Sequence, residues 1–171
     1  MMKKLNKKET SLFLSLCLPM IKTSAGEDIK GRLYYALKHG GPGEKDLEAA
    51  FPKEYAGVLE KIQEKPFLGF LSRRNYVLDY FFNGHNKNGA GCPIMLASVI
   101  GFKAERIKGE KMMTAMVKYG NGETEKSSLE VFPHIAMHGL NLHDKVLVHC
   151  STICHKLSEN ELQQINQYSL P

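Results

Sequence analysis

Four cysteines in 171 residues (Cys17, Cys92, Cys150 and Cys154), unevenly spaced, are too few for the disulfide scaffold of a small secreted domain. Eight methionines point the same way, to reduced thiols and a cytoplasmic location. No stretch approaches the roughly eighteen apolar residues of a membrane-spanning helix, so the expected partners include no membrane. Lys3 to Lys8, the apolar run Leu12 to Ile21 and then Thr23-Ser24-Ala25 imitate a secretory signal. Glu9 and Pro19 interrupt that pattern, however, and Leu12, Leu16 and Met20 also suit one buried helical face. The excess of positive charge is small too. The formal balance is +5, and it falls to +1 without Lys3, Lys4, Lys7 and Lys8, which reads as a solvated basic arm and argues against a nucleic-acid surface. Gly40-Gly41-Pro42-Gly43-Glu44-Lys45 and Tyr119-Gly120-Asn121-Gly122-Glu123 both lack the Lys-Ser/Thr step of a phosphate loop. The chain also lacks a Ser/His/Asp order, a dinucleotide fingerprint, internal repeats and low-complexity segments.

What is present divides in two. Residues 1–82 read as a helical module: a helix capped at Thr10 or Ser11 and ending before Pro19, a second over Gly31 to Lys38, a third phase carried by Leu47, Ala50, Tyr55, Val58, Leu59 and Ile62 up to Pro66, and a buried helix over Phe67 to Phe82. Residues 83–91, Asn-Gly-His-Asn-Lys-Asn-Gly-Ala-Gly, form a Gly/Asn-rich linker. After it the period changes to that of strands, expected over Ile94 to Phe102, Met112 to Tyr119, Thr124 to Val131 and Lys145 to Cys150. Ser158 with Glu161 has capping-box spacing and opens a last helix through Ile165. So few strands cannot fill two sheets, and a small barrel closed at its edges is more economical. The fold class is therefore α+β: an N-terminal helical module followed, over residues 92–171, by a small OB-like β-barrel with a C-terminal helix.

Chemistry concentrates in a few residues. Cys92 lies at a loop-to-strand junction, a setting for a nucleophilic or metal-binding thiol, though a cysteine there also serves as a small apolar packing residue. His149-Cys150-x-x-x-Cys154-His155 brings two thiols and two imidazoles into seven residues. With Cys92 or His85 it has the elements of a tetrahedral zinc set. In a strand His149 and Cys150 point to opposite faces, so one ion takes both only if the chain bends there. His85 sits in a turn-forming segment, where a polar residue needs no further role.

Certain spacings add a resemblance. Cys92 precedes the strand residue Val99 by seven positions. A hairpin follows at Ala115-Met116-Val117-Lys118-Tyr119-Gly120, then Ser127-Ser128-Leu129-Glu130-Val131, then Leu142-His143-Asp144-Lys145-Val146-Leu147-Val148-His149, and Lys156-Leu157-Ser158-Glu159-Asn160-Glu161 begins an acidic helix. Residues 92 to 166 thus resemble the small hydrogenase-assembly chaperones of the HypC/HupF type, with Cys92 internal where that family's cysteine follows the initiator methionine. The resemblance implies a non-enzymatic accessory of [NiFe]-hydrogenase maturation that carries an iron unit. Cys92 would be the thiolate ligand and His149 a neighbouring ligand or hydrogen-bond donor, with Cys150, Cys154, His155 and His85 as further candidates and zinc as the other metal. Its implied partners are a scaffold maturation protein and a hydrogenase large-subunit precursor. Two other roles suit the same residues: an OB-like module binding nucleic acid or protein, and a thiol-dependent enzyme using Cys92.

Overall fold

The computed structural model describes residues 5–21, 27–39, 43–63, 75–86, 91–107, 110–120, 122–124, 129–131 and 139–168. Helix α1 spans Lys7–Cys17, and its cap is Asn6, four residues before the expected Thr10. Asn6 Oδ1 accepts the N–H groups of Lys8 and Glu9 at 3.0 and 3.1 Å, and Glu9 Oε2 accepts that of Asn6 at 2.9 Å. This reciprocal capping box pairs N–H groups of the first turn that have no partner within the helix. Leu12 through Leu18 are all buried, so the apolar run of the signal-like segment lies in the core; Thr23-Ser24-Ala25 lies outside the described residues. Phe13 is its centre, edge-on to Phe51 and Tyr55 at 5.9 and 6.0 Å. Pro19 offers no N–H to continue the helix, and the chain tightens into a 3-10 turn, Leu18–Met20.

Around α1 pack α2 (Glu27–His39), α3 (Glu44–Ala50), α4 (Pro52–Gln63) and the short α5 (Tyr76–Asp79). Of the helix expected over Phe67 to Phe82, residues 67–74 lie outside the described residues. From Tyr80 to His85 the helix widens to a π-helical turn, so Asn83, Gly84 and His85 of the Gly/Asn-rich stretch belong to it. The Asn83 amide donates to Asp79 Oδ1 at 2.7 Å and holds that turn together. Residues 87–90 of the same stretch are outside those described.

The second half closes a five-stranded barrel in the order β1-β2-β3-β5-β4, with β1 Met95–Ile107, β2 Glu110–Tyr119, β3 Leu129–Val131, β4 Lys145–His149 and β5 Thr152–Lys156. Every pairing is antiparallel except β3 with β5, where Glu130 meets Thr152 and Val131 meets Ile153. This is the OB-type arrangement. A bulge between Val99 and Gly101 bends β1, so its first half pairs with β4 (Met95 with Val148, Ala97 with Val146) while most of it pairs with β2. Small and branched aliphatic residues fill the inside: Ala97, Val99, Ala115, Val117, Leu129, Val131, Val146, Val148 and Ile153 are all buried. Of the expected strand Thr124 to Val131, Thr124 makes a single bridge to Lys118 and only Leu129–Val131 is strand, residues 125–128 lying outside those described. Strand β5 falls on a segment read from sequence as a cluster of potential ligands.

Strand β4 is buried on both faces, from Val146 to His149. By strand alternation Val146 and Val148 share the face turned to the barrel interior, and His149, on the opposite face, meets α1 at the Leu16 carbonyl. Apolar side chains of helices and barrel accordingly make one continuous core. Ser158 and Glu161 form the capping box of α6 (Glu159–Tyr168), with Ser158 N–H donating to Glu161 Oε2 at 2.8 Å.

Candidate metal centre

The first strand begins where the fourth ends, because Met95 pairs with Val148 in the antiparallel β1–β4 ladder. Cys92 and His149 are thereby drawn to one pole of the barrel. Asn86, just after the π-helical turn, fixes the approach: its side chain accepts the Ile94 N–H at 2.9 Å and donates to the Ile94 carbonyl at 2.8 Å. That clamp holds the segment carrying Cys92, two residues earlier, against the barrel.

Strands β4 and β5 join through the two residues Cys150 and Ser151, since His149 pairs with Thr152. Both adopt positive φ, 48° and 59°. A primed turn of this kind favours Asn-Gly, and non-glycine residues bear a backbone cost there. The bend overrides strand alternation. Instead of pointing away from His149, Cys150 folds back toward it, and the ligating atoms of Cys92, His149 and Cys150 all lie within 4.8 Å of one another. Cys150 donates twice to the Cys92 sulfur, from its N–H at 3.1 Å and its S–H at 2.8 Å. Burial, then the hydrogen bond to Cys92 and the charge of Cys92, push the Cys150 thiol up to about 12.

His149 is fully buried, and each ring nitrogen faces a carbonyl: Nδ1 meets Leu16 O at 2.6 Å, and Nε2 meets Cys92 O at 2.9 Å. Carbonyls only accept, while a neutral imidazole has a single N–H. Burial, aided by His85, holds the His149 pKa below its ordinary value against the pull of the Leu16 and Cys92 carbonyls, so the ring is neutral and satisfies only one of them. A proton on Nδ1 would satisfy the shorter contact, to Leu16, and leave the Nε2 lone pair beside Cys92. Metal-binding histidines are commonly oriented in this way, one nitrogen donating to a backbone carbonyl and the other ligating. Leu16 lies in the last turn of α1, where carbonyls lack helical partners and the helix dipole is negative.

Two thiols and an imidazole form a soft-to-borderline donor set suited to a transition-metal ion, and among the described residues these three ligands leave a fourth position open. The other sequence candidates lie apart from this trio. His85 approaches edge-on, its ring centre 5.8 Å from that of His149, with Nδ1 3.4 Å from Asn86 Oδ1. Cys154 is buried in β5, its S–H directed at the Thr152 carbonyl at 3.1 Å and the His149 carbonyl at 3.8 Å, and burial raises its pKa. His155 instead pairs with Glu161 at 3.1 Å. The tight cluster in sequence is thus divided by strand β5. Sequence reasoning missed the Leu16 carbonyl, a backbone group that no residue type announces.

Compared with protein-family models, curated proteins and solved structures, the chain matches none. Among the described residues no helix is long and apolar enough to cross a membrane.

Proposed function

We propose that this protein is a non-enzymatic assembly factor that holds a transition-metal unit on Cys92 and His149, with Cys150 as third donor, and passes it to a metalloenzyme precursor. The observation that carries the reading is the convergence of two thiols and an imidazole held against the Leu16 carbonyl at one pole of an OB-type barrel. A structural zinc site is normally closed by four protein ligands, whereas the three found among the described residues leave room for a ligand carried with the metal or for the acceptor of a transfer. The HypC/HupF resemblance supplies the finer terms: iron as cargo, a scaffold maturation protein as docking partner, a hydrogenase large-subunit precursor as recipient and the cytoplasm as the place.

The test is anaerobic titration of the full chain with Fe(II), and with Co(II) as an optical probe of thiolate ligation. Stoichiometric binding is expected, and Cys92→Ser should weaken it by on the order of a hundredfold while the melting temperature moves little. Co-purification with the scaffold and precursor proteins should require Cys92. Absence of binding, or binding indifferent to Cys92→Ser, refutes the proposal.

A further inference from the structure

Two sulfurs of residues 58 positions apart lie 2.8 Å from each other, and a disulfide needs them to close by less than about 1 Å. Cys92 and Cys150 are both partly exposed, whereas Cys17 and Cys154 are buried. Cys150 reaches this position only through successive positive-φ residues without glycine, a conformation in which the backbone, rather than a flexible side chain, presents the thiol. Cys92 is anchored from the other side by the Asn86 clamp on Ile94. Neither partner has far to move.

We propose that Cys92 and Cys150 form a reversible disulfide that removes both sulfur donors from the metal centre. The oxidant is a low-molecular-weight disulfide of the glutathione class. Cys92 attacks as its thiolate, one sulfur of the oxidant joins Cys92 in a mixed disulfide, and the other sulfur leaves as a thiolate. Cys150 then loses its proton and attacks the Cys92 sulfur, and the second small thiolate leaves. Two protein thiols are oxidised, one small disulfide is reduced to two thiols, and the two protons released from the protein end on those thiols. The reverse exchange with excess small thiol restores the pair. Because metals bind the thiolate and not the disulfide, oxidation leaves His149 as the one remaining member of the trio able to ligate. The effect on metal rests on the function proposed above; the pairing itself does not.

The full chain is equilibrated in reduced-to-oxidised glutathione mixtures, quenched with an alkylating agent, digested and mapped by mass spectrometry. The tryptic peptide 146–156 holds both Cys150 and Cys154, so fragment ions must separate them. The expected product links Cys92 to Cys150 with the loss of two hydrogens, leaves Cys17 and Cys154 as thiols, and reverts with excess glutathione. Cys150→Ser should stop at one glutathione adduct on Cys92. Wild-type protein that stays reduced throughout, accumulates the Cys92 adduct, or pairs Cys92 with Cys154 overturns the proposal. In a parallel Co(II) titration the oxidised form should lose affinity by at least about tenfold and regain it on reduction. Equal Co(II) binding by both forms refutes the gating. Binding by neither form refutes gating together with the metal-carrier function, while the disulfide map still decides the pairing.

Discussion

Replacing Cys150 by Asn separates what the residue does for the fold from what it does for the site. At φ 48° the cysteine occupies the left-handed region, which costs an L-residue about 1–2 kcal/mol. Asparagine visits that region readily and is a preferred first residue of a two-residue primed turn. Against this relief stands the loss of the S–H bond to Cys92, about 0.5–1 kcal/mol for a partly exposed hydrogen bond, while the backbone N–H that also reaches the Cys92 sulfur is retained. The balance lies between about zero and 1.5 kcal/mol in favour of the variant, an increase of up to ~6 °C in melting temperature for a chain of this size. The metal centre loses a thiolate, and affinity should fall at least about tenfold. Scanning calorimetry of the metal-free protein and Co(II) titration read the two quantities separately. A melting temperature lowered by more than about 5 °C, or a Co(II) affinity equal to that of the wild type, would refute the reasoning, the first by showing that the thiol packs the fold and the second by showing that it is not a ligand.

Three further outcomes follow from the same structure. Ser151→Gly, at φ 59°, should raise stability by up to about 1 kcal/mol and leave Co(II) binding unchanged, because it relieves the same turn without touching a ligand. Val148→Ala should lower stability by on the order of 1–3 kcal/mol, seen as a reduced denaturant midpoint, since this side chain fills the barrel interior; an unchanged midpoint would contradict its packing there. For Glu161, burial alone would raise the pKa, yet the His155 hydrogen bond and charge, with the N–H and hydroxyl of Ser158, outweigh it and hold the carboxyl at about 2 against an ordinary 4.5. A folded pKa below the unfolded one stabilises fully above about pH 4.5 and fades as the pH falls toward 2, so the wild type should lose on the order of 2 kcal/mol across that interval, after a discount for partial exposure, and Glu161→Gln should show a smaller slope in urea denaturation.

How much could be read from sequence varied with the kind of signal. The switch from helical to alternating periodicity after residue 82 announced the order of helices and barrel, and the Ser158 to Glu161 spacing announced α6, because both are local patterns with a local cause. Strand β5 escaped because the turn before it has neither Gly nor Asn, and because Thr-Ile-Cys-His-Lys looks like a ligand cluster before it looks like a strand. The meeting of Cys92 with His149 was readable from strand ends that pair antiparallel. That Cys150 joins them was not, since a cysteine with positive φ has no sequence signature. Cys154 and His155 show the converse: adjacency in sequence suggested a shared ion, but the strand commits His155 to Glu161 and Cys154 to backbone carbonyls.

The helices bear on the site through their backbone. His149 belongs to the outer face of β4, where in a barrel without cover it would meet solvent and either ring nitrogen could carry the proton. Helix α1 seals that face, and because Pro19 stops the helix nearby, a carbonyl from its last turn, Leu16, lies 2.6 Å from Nδ1 across 133 residues of sequence. An acceptor at the negative end of a helix favours the proton on Nδ1, and that tautomer leaves the Nε2 lone pair at the pole that holds the Cys92 carbonyl and the two sulfurs. The same contact makes His149 part of the junction between helices and barrel, so displacement of α1 would expose the imidazole and release its proton assignment together. An internal cysteine preceded by a helical module is then no embellishment on a barrel that begins at Cys92: the module completes the surroundings of the histidine while the barrel places the thiols.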